Sequence, residues 1–596
     1  MLKKIAFPLL LILVSSIYFF TARDIAILDD GDALYAHAAR QMLQSGDWVT
    51  PYADGVRFLD KPPMMYWSMA VAYKIFGQNE FAARFPSALA VLGISILIFL
   101  MGKKAVDEST GLIAGIAASF CLGTFLFTRM VFPDILLVFF LTLALFCFLI
   151  WYADEKNPLL PALFFYAALA ASVLTKSLIG LVFPCAIIFI FLLWSGNIGR
   201  LRHFHMPAGI PVFLGLAAPW HIIAARKNPG FLWYFFINEQ ALRFIGRRQP
   251  ADYESIPLLI FWALILVWLF PWSVFLPSIK PVIQGNGYDA RSRAIVRLSA
   301  SWAAVILIFF SVSSRIEHYS LPLLPPLALL TGMAISPLKT GDSLQEQIRQ
   351  RWVSRGFLWL GILGALLGAA LIAIGIAWIL GFIKSGSDGS MDLTHLRAYK
   401  FYFAPLFDFP PHLLAQLKIP LIQTLAALSL GLPLAWQLNR RGRRIGAVLA
   451  ISGAMIIFFF SAFQSLGVCQ EILSSRQFGR KLLEVYRPGD CAITVGDFET
   501  ANSINFYTPT PLYVYEGSAA LLQWGLRYPD APSRVLNWEQ LDALWNGAYR
   551  TFVLTPEDRL TGMELSHCNI VMRSAGRVLI CNKPVEAGES TYRPAP

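Results

Sequence analysis

Long apolar runs broken by short polar stretches recur along most of the chain, and the pattern changes character only after residue 466. About 20 consecutive apolar residues suffice to cross a bilayer as a helix. Such runs lie near 5–21, 84–103, 110–128, 133–151, 158–174, 178–195, 207–224, 256–278, 295–313, 319–336, 357–383, 418–437 and 444–466, which predicts about thirteen transmembrane helices. Beyond 466 the apolar runs shorten to strand length, with CAITV at 491–495, YRTFVL at 549–554 and RVLIC at 577–581. Pro, Gly and Asp separate them, the signature of short strands. The expected architecture is an α-helical polytopic membrane domain, residues 1–466, followed by a small extracytoplasmic α/β domain, residues 467–596.

Composition supports this. Of the 596 residues, 56% are hydrophobic and 14% charged, whereas soluble proteins carry about 25% charge. The net charge of +12 describes topology and gives no sign of nucleic-acid binding. Its basic residues fall in short loops between apolar runs: Lys103-Lys104 and the stretches 200–205, 291–297, 349–355 and 440–444. Short loops rich in Lys and Arg mark the cytoplasmic side. With Lys3-Lys4 keeping the N-terminus inside, alternation places all five loops in the cytoplasm. Outside then lie 22–83, turns at 129–132 and 175–177, loops at 225–255, 314–318 and 384–417, and the C-terminal domain. The first 21 residues resemble a signal peptide, but no small-x-small cleavage site precedes Arg23-Asp24, so the segment is expected to remain as the first helix.

Cys121, Cys147 and Cys185 lie within spans as packing residues. Cys469, Cys491, Cys568 and Cys581 fall in the outer domain, where oxidation is permitted, and Cys568 and Cys581 flank a possible hairpin as a candidate disulfide. No Cys-x-x-Cys or His-rich metal spacing is present.

The chemistry-bearing residues gather on the outer side. Asp29, Asp30 and Asp32 follow the first span directly, ahead of a helical pattern at 33–44. One of them can cap that helix. Three neighbouring carboxylates instead suit a metal or a general base whose pKa is raised by its neighbours. Asp60-Lys61 precedes two prolines and the aromatic pair Tyr66-Trp67, as an interfacial anchor or as a phosphate-binding Lys with its orienting acid. Arg129 and Asp134 bracket one outer turn, and Lys176 occupies another; an ionisable residue at membrane depth is a site hypothesis. In 225–255 an aromatic stripe resembles an interfacial helix. It carries Glu239, Arg243, Arg247 and Arg248, and guanidinium forks suit phosphate. Arg315, His318 and Tyr319 mark one more outer helix end. Cations for a phosphate together with carboxylates for acid/base work fit a site for an anionic, lipid-linked substrate.

In LDDGDALYAHAARQML…GDWVTPYADGVRFLDKPPMMYW, R-x4-D at 129–134, LTKSLIG at 174–180, PWHIIAARKNPGFLWYFFINEQALRF at 219–244 and HYSLPLLPPLALL at 318–330, the sequence resembles bacterial GT-C glycosyltransferases. These belong to the dolichyl-phosphate-mannose protein mannosyltransferase superfamily, in the branch of the aminoarabinose transferases. The resemblance covers roughly residues 20–335. It implies transfer of one sugar from a polyprenyl-phosphate (undecaprenyl-phosphate) donor to a lipid A, glycan or protein acceptor outside the inner membrane, with inversion. It also implies a catalytic base in the first outer loop. A gapless match puts Gly31 and Asp32 on the family's acidic pair; Asp30, shifted by one, is favoured over Asp29 and Asp32. Lys61, Lys176, Arg243 and Arg247 would hold the donor phosphate. Asp60, Arg129, Asp134, Glu239, His318 and Tyr319 would line the substrate site. A divalent metal on Asp60 and Glu239 is an open possibility, although the family's Glu-His is Glu239-Gln240 here. A lipid-linked-sugar flippase, an oligosaccharide ligase or polymerase, and a non-catalytic envelope scaffold are the rival readings. The flippase would more often show half-repeats and charges at the midplane.

Overall fold

The computed structural model describes residues 2–250, 255–284, 288–336, 344–379, 411–560, 562–563 and 565–585. Among them, nine helices are long and apolar enough to cross a membrane, or eleven if each of two bent pairs counts as one span. The expected thirteen exceeds that count, because the runs at 5–21 and 178–195 form the shorter apolar helices Ile5–Phe20 and Ile179–Trp194. The outer loop expected at 384–417 lies largely outside the described residues.

Helices near the centre and at the rim of the bundle differ in burial. The most apolar stretch of Glu317–Ile335 is 94% buried, against 22% for Met206–Lys227 and 28% for both Leu344–Ala373 and Lys418–Arg440. The outer ones present their apolar surface to lipid. With no hydrophobic force between helices in a bilayer, close packing through small residues holds the centre together. Gly111 is an example: a Cβ there would come within 2.6 Å of the Phe99 carbonyl oxygen, so helices Glu80–Ala105 and Glu108–Ser119 touch backbone to backbone.

The two bent pairs solve each other's hydrogen bonding. Glu108–Ser119 and Leu122–Arg129 meet at 47°, and Leu258–Trp268 and Trp272–Gln284 at 105°. Pro271 cannot continue a helix. Backbone groups freed at membrane depth need protein partners. The Leu122 amide donates to the Phe270 carbonyl at 3.0 Å, and Trp272 Nε1 donates to the Phe120 carbonyl at 3.0 Å.

The segment after the first apolar helix, residues 22–79, is folded. Helix Gly31–Ser45 leads to a two-residue hairpin of β1 (Tyr52–Ala53) and β2 (Val56–Arg57), then to helix Met64–Phe76. The last long helix, Arg444–Leu473, delivers the chain to helix Arg476–Val485 and a six-stranded sheet. Its strands are β3 (Cys491–Val495), β4 (Leu512–Tyr515), β5 (Val535–Leu536), β6 (Thr551–Pro556), β7 (Asn569–Ser574) and β8 (Arg577–Cys581). The order is β5-β4-β3-β6-β8-β7, with β3 to β6 parallel and β8 antiparallel to both neighbours. All five residues of β3 are buried, as a continuous apolar strand of a parallel core should be.

The candidate Cys568–Cys581 disulfide does not form: all seven cysteines are free, with Cys568 exposed and Cys581 buried. The ladder pairs Cys581 with Asn569. Successive side chains on a strand face opposite sides, so Cys568, one residue before Asn569, cannot share the face of Cys581.

Candidate active site

The Asp60-Lys61 turn lies between β2 and helix Met64–Phe76, which Pro63 opens. The aromatic segment Trp233–Leu242 winds as a π-helix, a form frequent at functional sites. Gly246, at φ 71°, reverses the chain after it. That reversal swings Arg248 back between two carboxylates: Nη2 lies 2.9 Å from Asp60 Oδ2, and Nε donates to Glu239 Oε1. Tyr234 Oη donates to Asp60 Oδ1. Glu239 Oε2 also faces Lys61 at 3.5 Å and Arg243 at 3.3 Å. Three cations thus meet two carboxylates, leaving one positive charge in excess.

Burial opposes the charge on Glu239, but Arg243, Lys61 and Arg248 outweigh it and hold its carboxyl well below the usual range. Asp60 is pushed up by burial and by Glu239, against Arg248. Lys61 is lowered by burial and by Arg243.

A second ion pair completes the floor. Lys176 ends helix Leu159–Lys176 and donates to Asp134, the first residue of Asp134–Ala153. Ser177, at φ 61°, turns the chain immediately afterwards. The Lys176 ammonium also lies 4.4 Å from the centre of the Tyr319 ring. His318 Nε2 approaches Asp134 Oδ2 at 3.8 Å, and its ring stacks on Phe132 at 5.3 Å between centroids.

Two cavities open on this floor and share Asp60, Lys61, Lys176, Arg243 and Tyr319. The larger, about 270 Å³, runs between Leu178, Val182, Phe236, Phe244, Phe309 and Phe310, so it is apolar along its length and cationic at one end. The smaller, about 80 Å³, adds Asp30, Tyr35, Phe132, Asp134, Arg248 and His318, with Leu521 from the C-terminal domain. The pair can seat a lipid phosphate in one chamber and present a carboxylate from the other.

The three acids of the first loop have separated roles. Asp30 stands at the start of helix Gly31–Ser45, yet its side chain makes no capping bond and lines the smaller cavity. Asp29 faces away into the C-terminal domain: Oδ1 accepts from the Ser503 amide at 2.8 Å and Oδ2 from Ser475 Oγ at 2.9 Å. Asp32 is buried; Oδ1 accepts from the Val131 amide at 2.8 Å. Burial, only partly countered by Arg84, pushes Asp32 up to about 7.

Arg129 and Arg247 also depart from expectation. Arg129 turns inward, donating to Thr21 Oγ1, while Arg84 donates to its carbonyl at 2.6 Å. Arg247 is exposed and lines neither cavity. Its neighbour Arg248, read among the guanidiniums that suit phosphate but not placed on the donor, is the buried one. The only signal was the adjacent arginines; the Gly246 turn decides which one enters. Tyr234 and Leu521 carried no sequence signal. As for a metal, Arg248 fills the space between Asp60 and Glu239, and among the described residues no group of three His, Cys, Asp or Glu converges on one point. The donor set fits a guanidinium better than a metal ion.

Residues 60–223 match the model of the dolichyl-phosphate-mannose-protein mannosyltransferase family. An Aquifex aeolicus protein of unassigned activity is 29% identical over 332 residues, 55% of this chain and 73% of its own length. An undecaprenyl phosphate-alpha-4-amino-4-deoxy-L-arabinose arabinosyl transferase of Pseudomonas fluorescens is 28% identical over 390 residues, 64% of this chain and 66% of its own. A second such transferase from that species is matched over 57% of its length, so the aligned region spans less than two thirds of either transferase. The crystal structure of ArnT from Cupriavidus metallidurans bound to undecaprenyl phosphate superposes with a TM-score of 0.79, covering 98% of this chain and 99% of that one at 20% identity. In sequence and in fold, the chain is similar to the bacterial lipid A aminoarabinose transferases, the GT-C glycosyltransferases of the dolichyl-phosphate-mannose protein mannosyltransferase superfamily.

Proposed function

We propose that the protein moves a single sugar from an undecaprenyl-phosphate donor to lipid A at the periplasmic face of the inner membrane. One observation carries the reading: an apolar channel ends on Lys61, Lys176 and Arg243, and the same residues floor the chamber that Asp30 lines. A polyprenyl phosphate has this polarity, an apolar chain ending in an anion. The relatives named as undecaprenyl-phosphate-dependent transferases support the choice of donor.

The chemistry is a single displacement. The sugar's anomeric carbon carries the phosphate, which leaves as its charge is neutralised by Lys61, Lys176 and Arg243. Asp30 takes the proton of the acceptor hydroxyl as that oxygen attacks. Attack from the face opposite the phosphate inverts the anomeric centre. Asp134 orients Lys176, and Arg248 braces Asp60 and Glu239 so that Glu239 in turn orients Lys61 and Arg243.

The test uses purified protein in detergent with a panel of undecaprenyl-phosphate sugars, 4-amino-4-deoxy-L-arabinose included, and lipid A. Release of undecaprenyl phosphate with transfer of sugar to lipid A supports the reading. A protein inert with every donor, yet moving one across liposomes, overturns it in favour of a transporter.

A further inference from the structure

Asp30 holds an unusual backbone conformation, φ 74° and ψ −133°, a region that side chains with a Cβ rarely enter. Such a conformation persists only when its surroundings over-determine it, and here the surroundings belong to the C-terminal domain. Asn502, 2% exposed, clasps residue 30 at both ends of its main chain. Its Oδ1 accepts the Asp30 amide at 2.8 Å, and its Nδ2 donates to the Asp30 carbonyl at 2.9 Å. The Glu499 carbonyl accepts the same amide at 2.9 Å. Both partners sit just past the carboxyl end of β3, the central strand of the sheet. Glu499 Oε1 in turn accepts the amide of Leu521, the residue that lines the Asp30 chamber.

A residue free to leave positive φ would do so, because its Cβ then escapes the neighbouring carbonyl. Rotation about φ carries the Cα–Cβ bond with it, so the carboxylate would swing away from the floor formed by Asp60, Lys61, Lys176 and Arg243. We infer that Asn502 is a positioning residue for Asp30, so that the C-terminal domain supplies part of the active site across the interface with the first loop. The inference rests on Asp30 being the base, as proposed above. Retention of the domain does not depend on Asn502 alone. Arg40 donates to the carbonyls of Asn505 and Phe506 at 3.1 and 2.8 Å, Arg534 lies 3.1 Å from Asp54, and Asp29 binds Ser503 and Ser475.

The experiment is a double-mutant cycle on the full chain, using whichever undecaprenyl-phosphate sugar wild type turns over, with binding of undecaprenyl phosphate measured in parallel. A misplacement of about 1 Å can cost about a hundredfold. Asn502→Ala should therefore lower kcat by about ten- to a hundredfold while affinity for undecaprenyl phosphate stays within about twofold. In the Asp30→Asn background the same substitution should cost nothing further, since no base remains to be placed; a general folding defect would multiply the loss. Asn502→Ser, which keeps a single short hydrogen-bonding group, should fall between wild type and Asn502→Ala and serves if the latter fails to fold. Wild-type kcat in both Asn502 variants, alongside an inactive Asp30→Asn, overturns the positioning role and leaves the proposed function intact. An active Asp30→Asn overturns the base assignment itself. Equal losses from Asn502→Ala in both backgrounds reduce Asn502 to a structural contact.

Discussion

Two polar regions meet around Asp30, and they hold their acids in different company. Beneath the cavities, Glu239 faces Arg248, Lys61 and Arg243, Asp60 faces Arg248, and Asp134 faces Lys176, all well buried. Along the interface between the first loop and the C-terminal domain, Asp29 faces Arg577 at 3.8 Å and accepts from an amide and a hydroxyl, and Glu499 accepts a main-chain amide. Burial then pushes Asp29 up to about 6 and Glu499 to about 7, while Glu239 is held well below its usual value. The floor sets three cations against two carboxylates, which leaves one cation in excess and suits it to receiving an anion. The interface holds acids pushed up to about 6 and 7, so its strength responds to pH across that range.

Breaking each region should give a different signature, and the largest effect belongs to the residue between them. Asp30→Asn should lower kcat by about 10²–10⁴-fold, the usual worth of a general base, with undecaprenyl phosphate binding nearly unchanged in a titration. Arg248→Ala strands Asp60 and Glu239 without their shared cation. Removing one partner of a buried pair costs about 3–5 kcal/mol, so this variant should unfold at clearly lower temperature in detergent. Arg243→Ala removes the charged contact proposed for the donor phosphate, a kind worth about 1.5–3 kcal/mol. It should weaken donor binding by about ten- to a hundredfold, and Arg243→Lys should restore only part, since the planar fork is lost.

The interface should declare itself through pH. Asp29 and Glu499 bind protons more tightly folded than unfolded, so their contribution is greatest below pH 4 and is lost as pH rises through 6 and 7. The melting temperature of wild type should fall between pH 5 and 8 by on the order of a few degrees, and Asp29→Asn should flatten the slope; an unchanged slope would mean Asp29 does not titrate there. The smallest effect is expected of Cys568→Ser, which should leave the melting temperature the same with and without reductant, because no disulfide exists to lose.

Much of this was legible in the linear pattern. Hydrophobic runs located most spanning helices within a few residues, since a bilayer leaves a helix little choice but to satisfy its own backbone, although Leu344–Ile379 begins well before the run at 357–383 and Arg444–Leu473 runs past 466. Strands β3 and β8 were read as 491–495 and 577–581 because buried strands concentrate apolar residues. Strands β4, β5 and β7 escaped notice: β4 and β7 are only half-buried and β5 is two residues long, too little for an apolar run to show. Among site residues, Asp30, Asp60, Lys61, Asp134, Lys176, Arg243, His318 and Tyr319 do meet around the smaller cavity, and Glu239 lines the larger.

The sequence by itself determined that this is a multi-pass membrane protein with its acids and cations gathered at helix ends, because burying an unpaired charge in lipid is costly enough to confine such residues there. Only the tertiary structure decided which of three neighbouring aspartates faces the floor, which of two adjacent arginines enters it, and that a domain more than four hundred residues away clasps Asp30. Those choices hang on single backbone turns, at Asp30 and Gly246. A turn of one residue redirects a side chain without altering the hydrophobic pattern around it, so nothing in the order of the residues records the outcome.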